Sequence, residues 1–397
     1  MHNTRQNDAA RLGLDSIPTA ALIGALALVF TYDQSNPPTP TATVETIPVK
    51  PSPLKGEASL RLSVIPSNTE FDDMGRLLDS LGDGYSYRPN DFDQLLDIDS
   101  IKNFDIVFIT CSGYPDEWLG EAVEGESRGA SLFRPNDAVF TKAESTIRNY
   151  VKDGGTIYAS DLHFPLIAAT FPEYVAEDYI TRGRKQSVKA AVVDQGLRQA
   201  VGDTIDLDFD QDGWRPAAFS GDGVTIFLDG TFLTTDGEKR TCPLLTKITH
   251  GTGNVIFTSF HNENQNSKSE LELLKHLVFS AVTARADSEA DRQMARGGFS
   301  AAKKNLFSAS QDAETVTQTY VNTKQRDLQF SLAFPNQGGL LELTVEGPDG
   351  HSAHGEGASS FAVDIPNAAI GTWKYVIKAT KLPSSEFPFT MTVGEKN

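Results

Sequence analysis

Residues 250–263 read HGTGNVIFTSFHNE, and the fold turns on this stretch. A Gly-containing turn enters Gly253–Phe260, which reads as a late strand, and the chain leaves it through His261-Asn262-Glu263. Working outward, Phe104–Thr110 (FDIVFIT) is a continuous apolar run, as expected of a strand buried on both faces of a parallel sheet. Leu60–Pro66, Thr156–Ser160 and the short Tyr85–Arg88 read as further strands. Phe71–Leu81 has helical spacing, and Ala143–Lys152 is a helix stopped by Asp153-Gly154-Gly155. Ser267–Ala284 places Leu271, Leu274, Leu277, Val278 and Ala281 on one helical face. Strands alternating with helices argue for an α/β domain over residues 59–284. The expected architecture is a mostly parallel, doubly wound, flavodoxin-like sheet. Ligands bind such sheets beyond the carboxyl ends of the strands. That rule selects Cys111-Ser112-Gly113, Ser160-Asp161-Leu162-His163 and His261-Asn262-Glu263.

Three segments carry a family resemblance: FDIVFITCSG at 104–113, VKDGGTIY at 151–158, and HGTGNVIFTSFHNE. Through them residues 60–284 resemble the class I glutamine-amidotransferase-like superfamily, in particular its trehalose-utilisation (ThuA-like) branch. In that family a strand ends in His-x-Glu, which activates a cysteine; His261 and Glu263 match. The resemblance places the cysteine on a sharp elbow after the Gly-Gly strand, near Ser160, Asp161 and Leu162, where this chain has none. A thiol mechanism needs a thiolate within hydrogen-bond reach of its base. Cys111 is the one thiol at a strand end on that side, one strand early. The catalytic candidates are therefore His261, Glu263, Asp161 and Cys111, with Ser160 as a replacement nucleophile.

A metal site is an alternative use of the same strand ends. Asp161, His163 and His261, with Glu263, would suit zinc or another divalent ion if they converge. Asp208, Asp210 and Asp212 sit in a D-x-D-x-D-G run that resembles a calcium loop. Position twelve from Asp208 is Phe219 rather than Glu, so the EF-hand reading fails. The plainer expectation is a strand with Ile205, Leu207 and Phe209 inward and the aspartates outward. No organic cofactor is expected.

The ends of the chain set the expected context. Residues 1–16 form a tail, and 17–32 (IPTAALIGALALVFTY) carry no charge. Sixteen helical residues span about 24 Å, slightly short of a hydrocarbon core of about 30 Å. A single-pass transmembrane anchor is expected, followed by a Pro/Thr-rich stalk over 33–58. Residues 285–311 read as a linker. From 312 the period becomes two: Leu328/Phe330/Leu332/Phe334, Leu341/Leu343/Val345, Phe361/Val363/Ile365 and Trp373/Tyr375/Ile377. Short strands with Gly- and Asn-containing turns predict a β-sandwich over 312–397. Its pieces VEGPDGH and AIGTWKYVIKA resemble pre-peptidase carboxy-terminal and proprotein-convertase P-type sandwiches.

The formal charge of −18 disfavours nucleic acid and anionic lipid as partners. Two cysteines in 397 residues permit one disulfide but do not show it. Anchor, stalk, accessory-type sandwich and missing nucleophile lead to one expectation. The chain would be a non-enzymatic interaction subunit, held on a membrane with its domains in the periplasm or outside the cell. It would brace other subunits of a membrane complex. The alternatives are a hydrolase or carbohydrate-active enzyme of the trehalose-utilisation type, and a calcium- or carbohydrate-binding surface module.

Overall fold

The computed structural model describes residues 52–53, 61–67, 71–82, 85–119, 137–176, 181–261, 268–384 and 386–396. The expected anchor at 17–32, nearly all of the stalk, and Glu263 lie outside them. Among the described residues no helix is long and apolar enough to cross a membrane.

The first layer is a nine-stranded mixed sheet. Its parallel half runs β3 (Tyr87–Pro89), β2 (Leu62–Ile65), β4 (Ile106–Ile109), β5 (Thr156–Ser160), β10 (Gly253–Thr258). Beyond β10 the order continues β9 (Lys239–His250), β8 (Val224–Leu233), β6 (Gln186–Val192), β7 (Thr204–Phe209), with every pairing antiparallel. The expectation of a mostly parallel sheet is thus corrected to a mixed one. The burial pattern gives the reason. β2, β4, β5 and β10 are buried at every residue, because helices cover both faces. β6 and β7 alternate exposed and buried, the period-two signature of an antiparallel strand with one wet face. Ile205, Leu207 and Phe209 are the buried set of β7.

On one face, Leu62, Val64, Phe108 and Ile256 pack with α1 (Met74–Ser80) and the long final helix. On the other, Ile65, Val107, Ile109, Ile157 and Phe257 pack with α3 (Asp137–Lys152) and α4 (Phe164–Thr170). The short α2 (Ile98–Ile101) joins this second face, and α5 (Gln195–Val201) lies on the first, where Leu197 packs with the final helix. Leu271, expected on the inward helical face, is 44% exposed, and Leu273 is buried instead.

The final helix α6 spans Lys268–Arg296, about 44 Å of rise. Its last turns and strand β11 (Ser300–Ala309) occupy the expected linker, which is corrected accordingly. The segment read as turn-rich because its helix-facing residues are small. Ala286, Ala290 and Met294 recur at spacing four and face the sandwich, where Ala333 is buried against them. A Cβ on Gly394 would lie 2.7 Å from the Met294 sulfur, so the strand approaches the helix only because residue 394 is glycine.

The sandwich has a five-stranded sheet, β1 (Ser52–Pro53), β16 (Phe361–Ala368), β13 (Arg326–Ala333), β18 (Phe387–Lys396), β11. Facing it is a four-stranded sheet, β12 (Thr315–Asn322), β17 (Gly371–Lys381), β14 (Leu340–Glu346), β15 (Ser352–Gly357). Phe330, Leu332, Leu343, Val363, Trp373 and Tyr375 fill the space between. Ser52–Pro53, expected in the stalk, pairs with β16 at the sheet edge.

Candidate functional site

Three parallel strands end side by side. In register, Ile109 of β4 faces Ala159 of β5, and Ser160 of β5 faces Thr258 of β10. Within three residues of these ends come Cys111, Asp161 and His261. Sequence spacing separates them by 50 and 100 residues; the topology brings them together.

Asp161 begins the 3₁₀ turn Asp161–His163 with φ of 40°, in the left-handed region. Such a conformation costs a non-glycine residue about 1–3 kcal/mol, least for Asn and Asp, and persists where surroundings impose it. Here the surroundings do. Its Oδ1 accepts the Arg215 backbone N–H at 2.7 Å. Its Oδ2 lies 3.0 Å from His261 Nε2 and 3.8 Å from Cys111 Sγ, whose thiol donates to it. Asp161, with no thiol beside it in sequence, therefore occupies a strained turn directly after β5.

Cys111 is fully buried, and its thiol is pushed up strongly, by burial first and the Asp161 carboxylate second. A resting thiolate is therefore disfavoured, and Cys111 does not fit the part of a free nucleophile. Ser160 fits no better. Its hydroxyl donates to buried Asp72 at 3.0 Å and accepts the Cys111 N–H at 2.9 Å. For His261, burial lowers the imidazole pKa. The hydrogen bond and charge of Asp161, aided by Asp72 and Asp210, outweigh that and hold it above its ordinary value. Cys111 and Cys242 are not joined, so the permitted disulfide is not formed.

His163, expected as a possible metal ligand, turns away from this corner. Its Nε2 is 2.8 Å from the Thr110 carbonyl, and its ring packs 5.0 Å from Tyr114 and 5.5 Å from Phe92. Burial pushes it down to about 4, so it sits neutral in an aromatic box. The 3₁₀ turn causes the divergence: two residues along it point to different sides of the sheet.

The corner forms the floor of an 880 Å³ cleft. The lining is acidic, with Asp91, Asp93, Glu117, Asp208, Asp210 and Asp212; Arg182 is the arginine among the lining residues. Phe71, Tyr114, Trp214 and Phe260 add aromatic surface, and Phe71 stacks over His261 at 6.4 Å. Asp208 accepts from the Ser187 hydroxyl, and Asp212 Oδ1 accepts the Lys185 N–H at 2.7 Å. Asp208 thus ties β7 to a side chain of β6, and Asp212 braces the backbone before β6. Among the described residues, the set of three side chains close enough to share an ion is Cys111, Asp161 and His261. The acidic run does not supply such a set, which corrects Asp208, Asp210 and Asp212 as a calcium group.

Sequence reasoning missed Asp72, Arg215 and Trp214. Asp72 and Arg215 act through a hydroxyl and a backbone amide, which leave no motif. Trp214 had a faint signal: it directly follows the Asp-rich run and stacks on Phe209 at 3.8 Å.

No family model and no curated protein matches the chain. Among solved structures it is similar to a ThuA-like protein from Bacteroides uniformis, at 9% identity and a TM-score of 0.38, covering 63% of this chain and 98% of that one. It is also similar to a GMP synthase component from Thermoplasma acidophilum, at 14% identity and a TM-score of 0.35, covering 61% and 99%. A β-galactosidase from Bacillus circulans matches at 10% identity and a TM-score of 0.29, over 82% of this chain and 42% of its own.

Proposed function

We propose that the cleft binds a neutral, hydroxyl-rich small molecule of the carbohydrate class, and that the Asp161–His261 corner activates water to hydrolyse it. The observation that carries this reading is the elbow carboxylate. A strained Asp161, 3.0 Å from a histidine and at the base of an open cleft, is a costly arrangement for a purely structural role. His261 takes the proton from water as its oxygen bonds to the anomeric carbon and the glycosidic C–O bond breaks, then gives that proton to the leaving alcohol, while Asp161 orients its ring. The wall chemistry supports the substrate class. Carboxylates accept pairs of hydroxyl donors, aromatic faces cover the apolar faces of a sugar ring, and the acidic lining repels anions.

Calorimetry of the full chain against neutral mono- and disaccharides tests the reading, together with release of nitrophenol from aryl glycosides. Binding that weakens in Phe71→Ala, and turnover that disappears in Asp161→Asn while binding remains, are the expected results. Absence of binding to every sugar at millimolar concentration would sink it.

A second reading is the interaction subunit, held through residues 17–32 outside the cytoplasm. The burial of Cys111 favours it, since the one thiol near the base is not poised to react. Gentle detergent extraction and co-purification test it: a stable set of membrane partners supports it, and a lone monomer in the soluble fraction defeats it.

A further inference from the structure

The geometry points to a zinc-class divalent cation held by Cys111, Asp161 and His261, with the fourth position open to the cleft. This deepens the hydrolytic reading and rests on it for the metal's purpose, though not for its binding. The three donor atoms lie within 4.8 Å of one another. In a tetrahedral zinc site, with Zn–S about 2.3 Å and Zn–N and Zn–O about 2.0–2.1 Å, ligand atoms sit roughly 3.3–3.6 Å apart. The separations here, 3.0 Å for Nε2···Oδ2 and 3.8 Å for Sγ···Oδ2, bracket that range. Shifts of a few tenths of an ångström would bring these two pairs to zinc geometry, and the third pair, within 4.8 Å, would close around the ion.

The donor set narrows the metal. One thiolate, one imidazole and one carboxylate form a borderline-soft set, which suits zinc and not calcium or magnesium. Three protein ligands with an open position are the pattern of catalytic rather than structural zinc. The outer shell is already in place. The Arg215 N–H fixes the second oxygen of Asp161, and the Cys111 N–H is held by Ser160, itself held by Asp72. Such partners orient ligands before the metal arrives. An independent observation lies beside the corner. Ser112 and Ser259 line the cleft, each 1% exposed, and their hydroxyls have no hydrogen-bond partner among the described residues. Both can bond to water or substrate oxygen near the open position.

Binding balances as ligand exchange. The hydrated cation loses three waters and forms metal–sulfur, metal–oxygen and metal–nitrogen bonds. The thiol proton, and the proton on His261 Nε2, leave to solvent. No redox step is involved. The thiol that is unreactive alone becomes a ligand because the cation stabilises the thiolate. In the metal-bound protein His261 is a ligand and no longer the base, and the remaining water is the one the metal would acidify for attack.

The test uses the full chain, stripped with a chelator and titrated with Co²⁺, then with Zn²⁺ in competition. The expected result is one Co²⁺ per chain with a cobalt–thiolate charge-transfer band, displaced by Zn²⁺. Cys111→Ser should lose the band and weaken Zn²⁺ binding at least about 100-fold, the upper end of what even an outer-shell partner contributes. Cys242→Ser should retain both. Should Cys111→Ser fail to fold, His261→Gln keeps the thiol and should weaken binding comparably. A missing thiolate band, a band that persists without Cys111, or full affinity in His261→Gln overturns the inference. Sugar binding by the stripped protein is read separately. Sugar binding without metal binding removes the cation and leaves the cleft reading; metal binding without sugar binding does the reverse.

Discussion

His276 should make the protein acid-labile between pH 6.5 and 4. It projects from α6 toward Phe227, with ring centroids 6.5 Å apart, and is 9% exposed. Burial pushes its pKa down from 6.5 to about 4; Asp194 opposes and the half-buried Lys247 assists. The folded state therefore refuses a proton that the unfolded chain accepts throughout that window. With more protons bound in the unfolded state, stability falls as pH falls. The full difference of about 2.5 units corresponds to about 3 kcal/mol, reached below pH 4. At about pH 4.5 most of it, between about 2 and 3 kcal/mol, is already lost, and above about pH 7 none is. His261 does not blur the window. Its folded pKa lies above its unfolded value, so its contribution is complete below the unfolded pKa and declines only as pH rises through the folded one.

The assay compares urea unfolding of the wild type and His276→Leu at about pH 7.5 and about pH 4.5. Trp214 fluorescence is the reporter, because Trp214 lies in the same core as the α6 residues. Leu is close in size and does not titrate, so the variant should lose about 2–3 kcal/mol less than the wild type on acidification. Equal losses in the two proteins would refute a neutral, buried His276.

Three other perturbations follow from single contacts. Gly183→Ala places a Cβ 1.9 Å from the Trp214 ring and should destabilise by about 1–3 kcal/mol, with a shift in Trp214 emission. Lys304→Ala removes the cation beside Asp287 and Asp291; the network is partly solvated, so the loss in a denaturant titration should be about 1–3 kcal/mol, much of it recovered by adding Asp287→Asn. At the elbow, Asp161→Asn should fold normally, because Asn tolerates the left-handed region. Asp161→Val should lower the melting temperature, since a β-branched residue at φ of 40° is strained.

What the sequence made legible was governed by local pattern. Phe104–Thr110 announced a doubly buried strand, and Gly253–Phe260 a late strand, because their neighbours in space are apolar on both faces. Phe330 and Trp373 announced a sandwich because alternate residues face one core. The antiparallel half of the first sheet was harder to see. Its strands β8 and β9 are long and bulged, with register shifts near Leu228, so the period of two is broken where it would be read. Ala286, Ala290 and Met294 were obscured for another reason. A helix that packs through small residues against a glycine strand has little hydrophobic contrast to show.

The candidate site was legible as three strand ends but not as one centre. Strand order decides which ends touch, and order is a long-range property. Once β4, β5 and β10 are adjacent, Cys111, Asp161 and His261 converge although nothing in their spacing demands it. Asp161 is then held at φ of 40° with both carboxylate oxygens bonded, between a histidine and a thiol that come from the two neighbouring strand ends. No local pattern announces that combination, because the backbone strain is set by the turn after β5 and the partners are set by strand order.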